Sequence, residues 1–185
     1  MPKFNANAIE QYLKNLPGTS AIITSEGRKF FAAMGQVAKG PHVAIGITQE
    51  KFDLAKEVGP GEKSDYTLGE IGVVHEFGSK DGRIPERSFL RVPAQDKRSE
   101  MLAFINELRK QVVAGKVTVA IALGRIGLKF ETIVRDRIRS NIPPRLQKET
   151  IRRKTRDGKE GDVALIDFGQ LINSISSQVN MNGHS

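Results

Sequence analysis

The stretch from Thr118 to Pro144 constrains this chain more than any other. Leu123, Ile126, Phe130, Ile133, Val134 and Ile138 recur at helical spacing on one stripe, until Asn141-Ile142-Pro143-Pro144 stops the run. Proline disfavours helical backbone in the residue before it, so the helix must end there. Just upstream, residues 95–113 repeat the pattern, with Met101, Phe104, Ile105, Leu108 and Val112 aligned and Gly115 past the end. Two long amphipathic helices need an apolar surface to cover, and a sheet supplies one.

A strand is predicted over His42–Thr48, where β-branched Val43, Ile45 and Ile47 alternate onto one face. Thr67-Leu68-Gly69-Glu70 has the form of a capping box, which predicts a helix carrying Leu68, Ile71, Val74 and His75 and finishing at Gly78. Gly69 and Gly72 weaken that helix by about 1 kcal/mol each, and a strand through Ile71–Val74 is the competing reading. Residues 84–91 read as extended. Apolar spacing over residues 6–16 predicts an N-terminal helix stopped by Pro17-Gly18, with a second short one over 25–38. The tail from Leu165 to Val179 offers Asp167 as a helix cap ahead of Leu171, Ile172 and Ile175. Residues 49–65, 79–86 and 145–162 read as flexible loops. The expected fold is a single α+β domain over residues 1–185, with an N-terminal helical segment to about residue 40 and a small antiparallel sheet packed against the two long helices.

With 185 residues, such a domain buries roughly 70% of its unfolded surface. The chain has no cysteine, which excludes disulfides, thiolate metal sites and thiol nucleophiles. It is also lean, at 38% hydrophobic and 6% aromatic with no tryptophan. That leanness suggests apolar surface completed by a partner. No run approaches the ~20 apolar residues of a membrane span, and the N-terminus lacks the layout of a signal peptide. We therefore expect a protein that stays where it is made and has no membrane partner.

The net charge of +8 is local. Residues 125–159 hold twelve Lys/Arg against four Asp/Glu, whereas the other 150 residues carry seventeen of each sign. Such a block is a solvated helix face, a footprint for nucleic acid, or a contact for an acidic partner. Aromatic residues do not interleave it, so stacking on single strands is not suggested. Catalytic patterns fail on inspection. His75-Glu76 starts like a zinc-protease motif, but position 79 is Ser. Phosphate-cradling glycine loops are absent, and the carboxylates are scattered. No enzyme activity, catalytic residue, metal or cofactor is expected.

Two stretches carry a family resemblance. Gly72-Val73-Val74-His75-Glu76-Phe77-Gly78-Ser79, followed by Ile84-Pro85-Glu86-Arg87-Ser88-Phe89-Leu90-Arg91, resembles the signature of tailed-phage virion-morphogenesis (tail-completion) proteins. The likeness continues through Asn141-Ile142-Pro143-Pro144, Thr150-Ile151-Arg152-Arg153-Lys154 and Leu165-Ile166-Asp167-Phe168-Gly169-Gln170-Leu171, and spans residues 67–179. Two positions depart from it: Ser88, where the pattern has a second proline, and Phe168, where it often has threonine. The resemblance implies a structural virion protein of the head–tail junction, made in the host cytoplasm and resident in the neck. It also implies self-assembly into a ring, a hexamer or dodecamer, between a tail terminator or tail tube protein and the capsid connector or adaptor. Packaged DNA is a possible non-specific contact. Candidate assembly residues are His75, Glu76, Phe77, Pro85, Arg87, Phe89, Arg91, Arg152, Arg153, Lys154, Asp167 and Gly169. Glu76 is expected to pair with Arg87 or Arg91, and Phe89 to anchor either the subunit core or an interface. The alternative function is a sequence-independent nucleic-acid-binding protein led by the 125–159 block.

Overall fold

The computed structural model describes residues 40–59, 62–156, 162–166 and 169–181. The two N-terminal helices expected over 6–16 and 25–38 lie outside these residues. The fold is α+β. In chain order its elements are β1 (His42–Ile47), α1 (Gln49–Phe52), β2 (Ala55–Gly59), β3 (Glu62–Thr67), α2 (Leu68–Phe77), α3 (Arg91–Asp96), α4 (Arg98–Val113), α5 (Val119–Arg139), α6 (Lys148–Arg156), α7 (Gln170–Ser174) and β4 (Ile175–Asn180).

The sheet that organises the fold joins the two ends of the described chain. β1 pairs antiparallel with β4, from His42 opposite Asn180 to Ile47 opposite Ile175. Directly opposed residues share a face, so Val43, Ile45 and Ile47 line up with Val179, Ser177 and Ile175. Helix α5 lies on that face. Its closest approach is Gly127, where a Cβ would stand 2.5 Å from Ser177 Oγ and 3.1 Å from Val43 Cγ2. Polar ties fix the helix on the strand. Ser177 Oγ donates to Glu131 Oε1 at 2.6 Å, and Arg135 Nη2 donates to the Ile175 carbonyl at 2.6 Å while pairing with Glu131. Helix α4 packs on α5. Lys129 reaches Glu100 at 2.8 Å and sits over the Phe104 ring. Lys129, with Lys97, holds the Glu100 carboxyl below its ordinary value. The sheet is thus covered by α5, and α4 forms the next layer.

The core is built at the other end of α5. Val134 and Ile138 meet Phe89, Ile142, Leu165, Leu171, Ile172 and Ile175. Segments far apart in sequence therefore close one cluster.

Several local expectations change. The predicted loop at 49–65 holds α1 and the antiparallel pair β2–β3. Its strands, AKEVG and EKSDYT, lack apolar alternation, and Pro60 and Gly61 merely separate them. The basic loop at 145–162 contains α6. The long helix expected from 95 is split at Lys97 (φ −95°, ψ 9°), and the preceding piece starts at Arg91. Pro93 is tolerated there because first-turn amides need no helical acceptor. The 84–91 segment is accordingly extended only as far as the approach to Leu90, whose backbone is already helical. In the tail, Ile175 begins a strand rather than continuing a helix, because pairing with β1 overrides the local apolar spacing. Residues 71–74 are helical, which settles the earlier alternative.

The two glycines inside α5 make opposite predictions. Nothing lies within 4 Å of a Cβ built on Gly124, so Gly124→Ala should stabilise by about 0.5–1 kcal/mol through helix propensity. Gly127→Ala should destabilise by about 1–3 kcal/mol through overpacking, since Ser177 is held in place by Glu131. Urea unfolding of the two variants should therefore move in opposite directions; a stabilising Gly127→Ala would contradict the close approach.

Candidate functional site

Helix α2 starts with the predicted capping box. Thr67 Oγ1 accepts from the Glu70 amide at 3.2 Å, and Glu70 Oε2 accepts from the Thr67 amide at 2.7 Å. The helix ends at Gly78 (φ 75°, ψ 165°), a backbone region essentially open to glycine alone. A Cβ there would also meet the Glu86 amide at 3.1 Å. The chain turns back at this point. The Ser79 amide donates to the Ile84 carbonyl at 2.8 Å and the Arg87 amide to the His75 carbonyl at 2.7 Å. The intervening loop, expected to be flexible, is exposed but internally bonded. Ser79 Oγ donates to Asp81 at 2.6 Å and accepts from the Ile84 amide at 2.8 Å. The Ser79 hydroxyl, followed by the Arg83 amide, holds the Asp81 carboxyl below its ordinary value.

This return delivers residues 88–91 to Glu76, which is 3% exposed. Oε1 accepts from Ser88 Oγ at 2.6 Å, from the Arg91 amide at 2.9 Å and from Arg91 Nε at 3.1 Å. Oε2 accepts from the Phe89 amide at 2.8 Å and the Leu90 amide at 2.9 Å. These amides are the donors left without helical partners at the start of α3. A buried carboxylate is costly to desolvate, and only a near-complete set of donors with a cation offsets that. Glu76 has both. Its lone pairs are committed to holding the turn, which makes it a lock between α2 and α3.

The two arginines divide the work. Arg91 is the partner of Glu76, and it also reaches the Glu76 carbonyl at 3.0 Å and Glu86 at 2.6 Å while lying 4.3 Å from the centre of the Phe77 ring. Arg87 is buried and points elsewhere: Nε and Nη2 donate to the Pro144 carbonyl at 3.1 and 2.7 Å. Burial lowers its pKa from the ordinary arginine value. Phe89, with no exposed surface, sits in the core of the chain with Ile142, Leu165 and Leu171. That answers the core-or-interface question for this residue.

His75, Glu76, Phe77, Pro85, Arg87, Phe89 and Arg91 are therefore brought together, with Pro85 half-buried on the returning segment. The basic candidates are split. Arg152 and Arg153 are exposed on α6, whereas Lys154 is 5% exposed. Its Nζ donates to the carbonyls of Val163 and Ile166, each at 2.6 Å, so it anchors α6 and is not an assembly charge. Gly169 (φ 73°) precedes α7 and its carbonyl accepts from the Asn173 amide at 3.0 Å, a backbone role. Asp167 lies outside the described residues. Sequence reasoning missed Ser88 and Pro144 as partners. Ser88 gave one hint, a hydroxyl where the resembled pattern has proline. It donates to Glu76 and accepts from the Val92 amide at 3.1 Å.

Among the described residues no three His, Asp or Glu side chains gather as metal ligands, and no helix is long and apolar enough to cross a membrane. No protein-family model, curated protein or solved structure matches the chain.

Glu76→Ala should cost about 3–5 kcal/mol, because it leaves Arg91 and four other donors facing an empty site. Glu76→Gln keeps the shape but turns a donor toward donors, and should cost about 1–3 kcal/mol. Urea unfolding with an unchanged m-value checks both, and wild-type midpoints would remove the lock. Phe89→Ala should cost about 3–5 kcal/mol in the isolated chain. Normal thermal unfolding of that variant would contradict its place in the core.

Proposed function

We propose that this chain is a structural subunit of a tailed-phage neck, a tail-completion protein that joins tail to capsid connector by assembling as a ring. One observation carries the reading: separate stretches behind the family resemblance meet at the Glu76 lock and in the core beside it. Glu76, from the first stretch, binds residues 88–91 of the second. Arg87 of the second reaches Pro144 of the third, and Leu165 and Leu171 of the last pack on Phe89. A shared pattern is expected to be kept where it holds a fold together, and here its parts meet physically.

Surface exposure supports the assembly role. Val113, Leu128, Leu102 and Ile121 are 84%, 64%, 49% and 49% exposed. These residues lie on α4 and α5, and in this reading a neighbouring subunit covers them. In this reading the protein is made in the host cytoplasm and retained in the virion neck.

The test is reconstitution. Light scattering of the purified chain should give a monomer or weak oligomer at micromolar concentration, with rings forming when tails or connectors are added. Purified heads and tails lacking the protein should then join in proportion to the amount supplied. A stable ring formed by the chain alone would overturn the ordered-assembly part, and unchanged joining would overturn the function.

A further inference from the structure

The basic block read from the sequence is not one surface. Four of its twelve cations are engaged within the chain: Lys129 with Glu100, Arg135 with Glu131, Arg139 with Asp136 in an exposed pair, and Lys154 with two main-chain carbonyls. Another set stands apart. Arg145, Lys148, Arg152 and Arg153 are exposed at the start and on the outer face of α6. The one acidic side chain among them is Glu149, 3.9 Å from Arg152, in a pair whose side chains are 79% and 85% exposed. Such a pair contributes ~0–1 kcal/mol and leaves the face strongly positive.

We infer that this outer face of α6 is a sequence-blind contact for the phosphate backbone of duplex nucleic acid. The inference narrows the nucleic-acid contact left open by the sequence to one face, and it stands on α6 and the preceding Arg145, not on the neck reading.

Three features favour phosphate over an acidic protein surface. The face contains no exposed apolar side chain, since residues 148, 149, 152, 153, 155 and 156 are all polar or charged. A packed protein interface has an apolar centre from which charges are depleted, whereas backbone binding needs only well-placed cations. Second, the helix is firmly presented. Its inner side is pinned by Lys154 to the turn that carries core residue Leu165, so the cations stand on a fixed support. Third, the dimensions fit. A nine-residue helix is about 13 Å long, a length over which duplex DNA presents about eight phosphates. No aromatic residue lies between Ser140 and Ile166, so base stacking has no platform and the contact stays with the backbone.

The experiment titrates the full-length chain onto two short duplexes of unrelated sequence by fluorescence anisotropy, across a salt series from 50 to 200 mM. About four phosphate contacts predict equal affinity for both duplexes and a log–log salt slope of about −3 to −4, which is roughly a hundredfold loss over that range. Replacing Arg145, Lys148, Arg152 and Arg153 together by Gln should flatten the slope to near zero while thermal unfolding stays unchanged. A poly-glutamate peptide is the probe for the rival partner. The proposal is overturned by a wild-type slope shallower than about −1, by a variant that keeps the wild-type slope, by a strong preference for one duplex, or by poly-glutamate binding as tightly as duplex. Whether heads and tails join is a separate measurement, so either reading can fail alone.

Discussion

Glu76 places a carboxylate where almost no water reaches it, and the surrounding turn exists to supply its hydrogen bonds. Five donors from Ser88, Phe89, Leu90 and Arg91 converge on two oxygens. Because these donors come from consecutive residues, the carboxylate fixes the path of the chain as well as its position. That path sets the direction of α3 and drives Phe89 into the centre of the core. Were the carboxylate absent, the amides at the start of α3 would be buried without acceptors, and the side chain that follows them would lose its aim.

The same device recurs. Arg87 and Lys154 are also buried, and each gives its protons to main-chain carbonyls of another segment: Pro144, 57 residues on, in one case, and Val163 and Ile166, 9 and 12 residues on, in the other. Each tie brings an irregular segment against α5 next to a core residue, Ile142 or Leu165. For a chain with no tryptophan and few aromatic residues, directional bonds from buried charged groups specify the arrangement that apolar packing alone would leave loose. They have a cost in desolvation, and for that reason every such group needs its full complement of partners.

One consequence is a division of the basic residues. Lys154 is turned inward and structural, while Arg145, Lys148, Arg152 and Arg153 stand exposed at and before the start of α6 and on its outer face. The α4–α5 layer has a different character, with exposed apolar side chains along both helices. The described residues thus carry two chemically distinct surfaces, one charged and one apolar, on separate helices.

Much of this was legible from residues alone wherever local rules governed. The capping box at Thr67 and Glu70, the glycine stop at 78, the stripe along α5 and the proline stop at 143–144 all depend on contacts within a few residues, which sequence displays directly. Strand β1 was legible because its alternation is strong. The sequence also narrowed the Glu76 partner to two arginines, and only the three-dimensional return of the chain chose Arg91. Tertiary structure decided the rest. β4 became a strand because β1, more than a hundred residues away, needed a partner. The hairpin β2–β3 and helix α6 lack apolar periodicity, so nothing local announced them. Lys154 reads as one more surface charge in a basic run, yet it is buried because two carbonyls from residues 163 and 166 happen to meet its ammonium. Periodicity reports which side of an element is apolar; whether a charge is turned inward depends on acceptors supplied from elsewhere in the chain, and that information exists only once the chain has folded.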